Sequence, residues 1–301
     1  MGSIDWNRRI WDDPSNWAGF GDGWTFHAQA CGQPYERWKC SVVETFVEPF
    51  LGPDIDMLEI APGHGRWTEH MVGRVRTLTL VDLSPSCIET CRERFSRGHP
   101  EITFSVNDGR SLEVPDQSID VVWSFSSFVH MDEPEITAYL NEIRRVLRPG
   151  GRFLIHHAGW VGWTVPIAPA AGSLGRPGRV LVRRMAQGSW RGAGDRGAMS
   201  AKRFERLARD QALSVDRQLR RWGSRGEFSV AFRDVVTIGS SAGVPQTTPG
   251  SERTGDPEEI EKRADFTELN ALTSPTTGFF TGASLAMPGT GSGSGRSATL
   301  L

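Results

Sequence analysis

The sequence predicts an open, doubly wound α/β fold with a mostly parallel sheet, and three observations carry that expectation. Five apolar, strand-like runs between Met57 and His157 alternate with segments of helical periodicity. The first run breaks into a turn of small residues, Ala61-Pro62-Gly63-His64-Gly65. Two further strand-like runs follow a helix that begins near Ser200. Strands that alternate with helices run parallel and are covered on both faces, so they read as continuous apolar stretches.

Taken in order, "PYERWKCSVVETFVEPFL" places Trp38, Val42, Val43 and Phe46 at helical spacing. It follows a loose, tryptophan-rich arm that includes Trp11, Trp17 and Trp24. "MLEIA" is a buried strand and "RWTEHMVGRV" fits a helix. "TLTLVDL" is the second strand; "PSCIETCRERFS" is the helix after it, with Ser84 as cap and Pro85 in the first turn. "ITFSVND" and "IDVVWSFS" are the third and fourth strands. "EPEITAYLNEIRRVLR" is a strongly periodic helix ended by Pro149-Gly150-Gly151. "RFLIHH" is the fifth strand. "SAKRFERLARDQA" is a helix, and "LSVDRQLRRWG" and "FRDVVTIGS" close a seven-stranded sheet.

These elements divide the chain into an arm with a lid helix (1–52), a main domain (53–240) and a tail (241–301). A Gly-, Pro- and Arg-rich insertion falls at about 159–199; it is too long for an ordinary connection and is expected to serve function. The tail is rich in Gly, Ser, Thr and Pro, cannot bury enough apolar surface to offset its ordering entropy, and is expected to be disordered.

Composition narrows the classes. Hydrophobic residues make up 38% and charged residues 23% of the 301, as in a soluble globular chain. A formal net charge of −2 argues against a protein built mainly to hold nucleic acid. The four cysteines show neither a C-x-x-C pair nor zinc-ligand spacing, and no apolar run approaches the ~20 residues that span a bilayer. With no signal peptide visible, the expected location is the cytoplasm. Eleven Trp against two Tyr suggests that some indole rings face a ligand.

In an open parallel sheet, ligands bind beyond the carboxyl ends of the strands, where the strand order reverses. The turn after Glu59 falls at that point, and Gly63 and Gly65 permit close backbone approach. Asp82 ends the second strand, where a carboxylate accepts hydrogen bonds from ribose hydroxyls. Both NAD and S-adenosylmethionine satisfy these requirements. Trp67 stands where a dinucleotide site wants close helix packing against a pyrophosphate. Glu59 suits an ammonium better than a phosphate, and Asp108 with Gly109 offers a carboxylate and an N–H to an adenine edge. Together they describe an adenosyl ligand with an amino-acid arm.

"LEIAPGHGRW", "LVDLS", "VNDGRSL", "IDVVWSFSSFVHM" and "VLRPGGRFLIHH" resemble the successive motifs of class I S-adenosylmethionine-dependent methyltransferases. The resemblance covers about residues 35–240 and is nearest to a branch associated with glycan and secondary-metabolite pathways. It implies a Rossmann-like methyltransferase fold that binds S-adenosyl-L-methionine. Glu59, Ala61, Gly63 and Gly65 would line the methionine and ribose side, with Trp67 and Ser124 nearby. Asp82 would hold the ribose, and Asp108 and Gly109 the adenine. Ala61 departs from the pattern, which has glycine there.

Methyl transfer to a hydroxyl needs a base, and His130, His156 and His157 follow the fourth and fifth strands, whose ends converge over the cofactor. The expected activity is O-methylation of a small-molecule or glycan acceptor, with His130 or His157 as base. Trp190 and Arg191 in the insertion are substrate-side candidates. A less favoured variant places Mg²⁺ among Asp132, His130 and His156–His157, although magnesium prefers oxygen ligands. The alternatives are N-methylation of a small amine, which needs no base, and an RNA or phosphorylated substrate, suggested by the arginines between Arg176 and Arg225. No membrane partner is expected.

Overall fold

Strand β1 (Gly52–Ile60) is buried on both faces from Asp56 onward and forms the axis of the sheet. The computed structural model describes residues 4–17, 24–159, 197 and 199–242; Trp190, Arg191, nearly all of the insertion and the tail lie outside the described residues. β1 pairs in parallel with β2 (Val75–Asp82) on one side and β4 (Ile119–Ser124) on the other. β3 (Ile102–Val106) lies beyond β2, and β5 (Leu147–His157) beyond β4, both parallel. The last strand, β9 (Val235–Ser241), inserts antiparallel between β5 and β6 (Leu213–Leu219). The strand order is therefore 3-2-1-4-5-9-6, with the reversal between β1 and β4.

Side chains on successive strand residues point to opposite faces, and each face gathers its own core. Met57, Leu80, Trp123 and Leu154 face α3 (Tyr35–Phe46) and α4 (Pro85–Phe95), meeting Trp38, Val42, Phe46, Ile88 and Phe95. Leu58, Val122, Phe153 and Ile155 face α5 (Glu133–Val146) and α6 (Ala201–Asp210), meeting Ile136, Leu140, Ile143 and Phe204. The Ser84 hydroxyl caps α4 by accepting from the Cys87 N–H at 3.2 Å. At the end of the sheet opposite the turn, Arg148 donates to Asp56 and to Asp120 at 2.7 Å each, and Arg76 also grips Asp56. This lock ties β1, β2, β4 and the start of β5.

Four expectations change. The "RWTEHMVGRV" segment forms turns and a 3₁₀ turn at Thr68–His70 instead of an α-helix. It is confined between Gly65 and Gly73, both left-handed, a span too short to offset helix nucleation. The loose arm carries α1 (Ile4–Trp11), a 3₁₀ turn at Pro14–Asn16 and α2 (Phe26–Cys31). The periodic helix stops at Val146, and its predicted stop signal, Pro149-Gly150-Gly151, lies inside β5. The first closing strand ends at Leu219; Arg221–Trp222 (β7) pairs instead with Phe228–Ser229 (β8) in a separate hairpin.

Candidate active site

The turn after β1 owes its shape to backbone bonds. Ala61 donates to the Val81 carbonyl of β2 at 2.7 Å, and its φ of 58° puts an alanine in the left-handed region that favours glycine. Gly63 has the same φ and donates to Asp82 Oδ2 at 3.1 Å, while the other oxygen of that carboxylate accepts from the Ser84 N–H at 2.9 Å. The Cys91 thiol donates to the Gly63 carbonyl at 3.2 Å, and Arg94 donates to that of His64. Two strand ends and one helix thus fix the turn.

Glu59 and Asp82, at the ends of neighbouring strands, are nearly inaccessible. Glu59 accepts from the Thr68 hydroxyl at 2.6 Å. Burial pushes its carboxyl up to about 8, against the Thr68 hydrogen bond and with Asp82 adding to the rise. Burial likewise pushes Asp82 up to about 6, opposed by the backbone N–H groups it accepts from. Two carboxyls whose ionisation is suppressed by desolvation regain it beside a cation or hydroxyl donors.

Above the turn opens a cleft. Its floor is Ala61, Pro62, Gly63, Asp82, Leu83 and Gly109, and its far wall is Phe125, Ser126, His130, Glu135 and Tyr139. The arm forms the roof. Trp11, Trp17 and Trp24 touch one another with centroids 5.2–5.7 Å apart, and the Arg66 guanidinium lies 5.2 Å over the Trp24 ring. Asp12 fastens the arm to the β2 end by accepting from the Ser84 hydroxyl at 2.7 Å and the Ser86 N–H at 3.1 Å.

The structure separates the three histidines. His130 lines the cleft, with its ring edge-on to Trp11 at 5.0 Å, and its carbonyl accepts from Asn7 Nδ2. His156 faces the α3 side of the sheet, fully enclosed and stacked on Phe125 at 4.3 Å. Its Nδ1 accepts from the Ser126 N–H at 3.1 Å, which leaves Nε2 as the protonated nitrogen, 3.4 Å from Asp234. This holds the loop after β4 where Ser126 adopts φ 69°. His157 points to the opposite face and stacks on Phe204 at 3.7 Å. Its two nitrogens meet the Ala158 carbonyl at 2.7 Å and the Thr237 hydroxyl at 2.6 Å, and burial holds it down at about 3. Alternation along β5 thus sends His157 away from the cleft.

Other candidates also shift. Ser124 is wholly buried, and its hydroxyl donates to the Ile60 carbonyl at 2.8 Å, tying β4 to β1 without lining the cleft. Asp108 is exposed and turned back on its own loop, accepting from the Arg110 and Ser111 N–H groups at 2.9 and 2.7 Å. Trp67 does line the cleft. No group of three potential metal ligands comes together among the described residues, and the set Asp132, His130 and His156–His157 is split across the sheet. Sequence reasoning missed Asn7, Ser126, Glu135 and Tyr139. Glu135 carried a signal, since it flanks the apolar stripe of α5 one turn before Tyr139.

With this geometry in place, comparison with known proteins identifies the architecture. The architecture is the Rossmann-like methyltransferase fold, and residues 57–151 match the model of a methyltransferase domain. A geranyl diphosphate C-methyltransferase from Streptomyces coelicolor A3(2) superposes with a TM-score of 0.53 at 14% identity, over 79% of this chain and 97% of that one. A probable phthiotriol/phenolphthiotriol dimycocerosates methyltransferase from Mycobacterium ulcerans is 35% identical over 32% of this chain and 37% of its own length. A ubiquinone/menaquinone biosynthesis C-methyltransferase from Caulobacter vibrioides is 41% identical over 29% and 32%. A fatty-acid O-methyltransferase from Mycolicibacterium smegmatis is 36% identical over 33% and 35%. The chain thus spans about a third of the length of these curated relatives. No helix among the described residues is long and apolar enough to cross a membrane.

Proposed function

We propose that the chain is an S-adenosylmethionine-dependent methyltransferase that methylates a hydroxyl of a small molecule, a sugar or a secondary metabolite. The cofactor's fit rests on the paired carboxyls at the β1 and β2 ends. Asp82 lines the cleft floor and suits a ribose diol; Glu59, buried behind that floor and bonded to Thr68, does not line the cleft and would act on the ammonium of an amino-acid arm as a neighbouring charge. Gly63 and Gly109 bring backbone to the cleft floor, where a Cβ would lie 2.5 Å from the Trp17 ring at Gly63 and 3.1 Å from Ile4 at Gly109. When bound, the cofactor supplies an electrophilic methyl group on a sulfonium.

The acceptor reading rests on one observation: His130 is the histidine of the three that lines the cleft. Its imidazole would take the hydroxyl proton as the oxygen attacks. The tryptophan roof would shield the reaction from water and offer flat apolar faces to a ring-shaped acceptor. The names of the relatives include both C- and O-methyltransferases, so the atom methylated is read from the site alone. Incubation with S-adenosylmethionine and fractionated small molecules, read by mass spectrometry, identifies the acceptor as the species that gains one CH₂. His130→Ala should then lower kcat by about 10²–10⁴-fold at saturating acceptor. Unchanged turnover would move the reading to a small neutral amine, whose lone pair attacks without a base.

A further inference from the structure

We infer that Glu135 is the hydrogen-bond acceptor for the exocyclic amine of the ligand's purine, the position the sequence assigns to Asp108. This inference rests on the adenosyl reading above. Asp108 does not line the cleft, and one of its oxygens already accepts from two backbone N–H groups and from the Ser111 hydroxyl at 2.9 Å. Those bonds close the loop after β3 and turn the carboxylate toward solvent.

Glu135 has the opposite character. It is 8% exposed, it lines the cleft, and its buried Oε2 has no hydrogen-bond partner. A buried carboxylate oxygen without a donor costs free energy that a donor on a bound ligand would recover. Its position names the donor. Glu135 and Tyr139 are four residues apart on α5 and share a face. Tyr139 accepts from Asn107 Nδ2 at 2.9 Å, and Asn107 Oδ1 in turn accepts from the Gly109 N–H at 3.3 Å. This chain of bonds places the α5 face beside the β3 end, where the purine edge of an adenosyl ligand would lie with its ribose on Asp82. An acceptor there selects an amine at purine C6 over a carbonyl, because two acceptors would repel.

Calorimetric binding of S-adenosylhomocysteine and of S-inosylhomocysteine, in which a C6 carbonyl replaces the amine, tests this. The wild type should prefer the adenine compound by about tenfold or more. Glu135→Gln, whose amide can also donate, should shrink that preference to about threefold or less, and Glu135→Ala should shrink it if the glutamine variant fails to fold. Equal binding of the two compounds by the wild type overturns the inference, as does a full preference in both Glu135 variants. Loss of the preference on Asp108→Asn, with the Glu135 variants behaving as wild type, returns the role to Asp108. Should the wild type bind neither compound, the adenosyl reading itself falls.

Discussion

The Trp17 indole stacks on the His64 imidazole with centroids 4.1 Å apart and planes 15° from parallel. A residue of the N-terminal arm therefore sits on the turn after β1, and a Cβ at Gly63 would lie 2.5 Å from the Trp17 ring. The contact makes the arm a roof over the cleft. An aromatic pair of this kind contributes about 0.5–1.5 kcal/mol beyond its buried area. Trp17→Ala should speed dissociation of S-adenosylhomocysteine by about three- to tenfold, measured by surface plasmon resonance. An off-rate equal to the wild type would show that the roof does not retain the ligand.

Glu59 sets a pH signature for binding. Its folded pKa of about 8 lies above the ordinary value of 4.5, so the ligand-free protein holds a proton there at neutral pH. The stability this contributes is complete below about pH 4.5 and is lost as pH rises through about 8. An ammonium beside Glu59 reverses the preference, so binding of S-adenosylhomocysteine at neutral pH should release a proton. Calorimetry in buffers of different ionisation enthalpy reads that release directly. Glu59→Gln should abolish it; a release of the same size in that variant would place the proton elsewhere.

His157 gives the opposite limb. Burial depresses its folded pKa to about 3 from the ordinary 6.5, so the unfolded chain binds the extra proton between those values. Its contribution to stability is lost as pH falls from about 6.5 toward 3. Removing a buried, doubly hydrogen-bonded ring also leaves partners unsatisfied. His157→Ala should cost about 2–4 kcal/mol at neutral pH and flatten the acid limb of urea-denaturation stability. An acid limb as steep as the wild type's would assign that slope to other groups.

Ala61 carries backbone strain. At φ 58° its Cβ crowds the following carbonyl, a cost of about 1–2 kcal/mol, part of which glycine gives back through unfolded-state entropy. Ala61→Gly should therefore raise stability by about 0.5 kcal/mol, seen as a higher midpoint in urea at unchanged slope. A lower midpoint would mean that the methyl group packs productively against the cleft floor.

Much of this protein was legible in its sequence, where local chemistry and periodicity suffice. Alternating strands and helices, Ser84-Pro85 at a helix start, and the small residues after Glu59 specify the sheet and the place of the ligand turn. Carboxyls at two strand ends are legible too, because a parallel sheet brings those ends together. Three things were decided only in three dimensions. The side of the sheet reached by each of two adjacent histidines depends on strand register, and it turns His156 and His157 to opposite faces. Whether a carboxylate is spent depends on what its loop does with it, which separates Asp108 from Glu135. The packing of a distant arm against Ser84 and Gly63 joins segments remote in sequence, so no local pattern could foretell it. Periodicity is a property of neighbours along the chain; which polar atoms find partners is a property of neighbours in space.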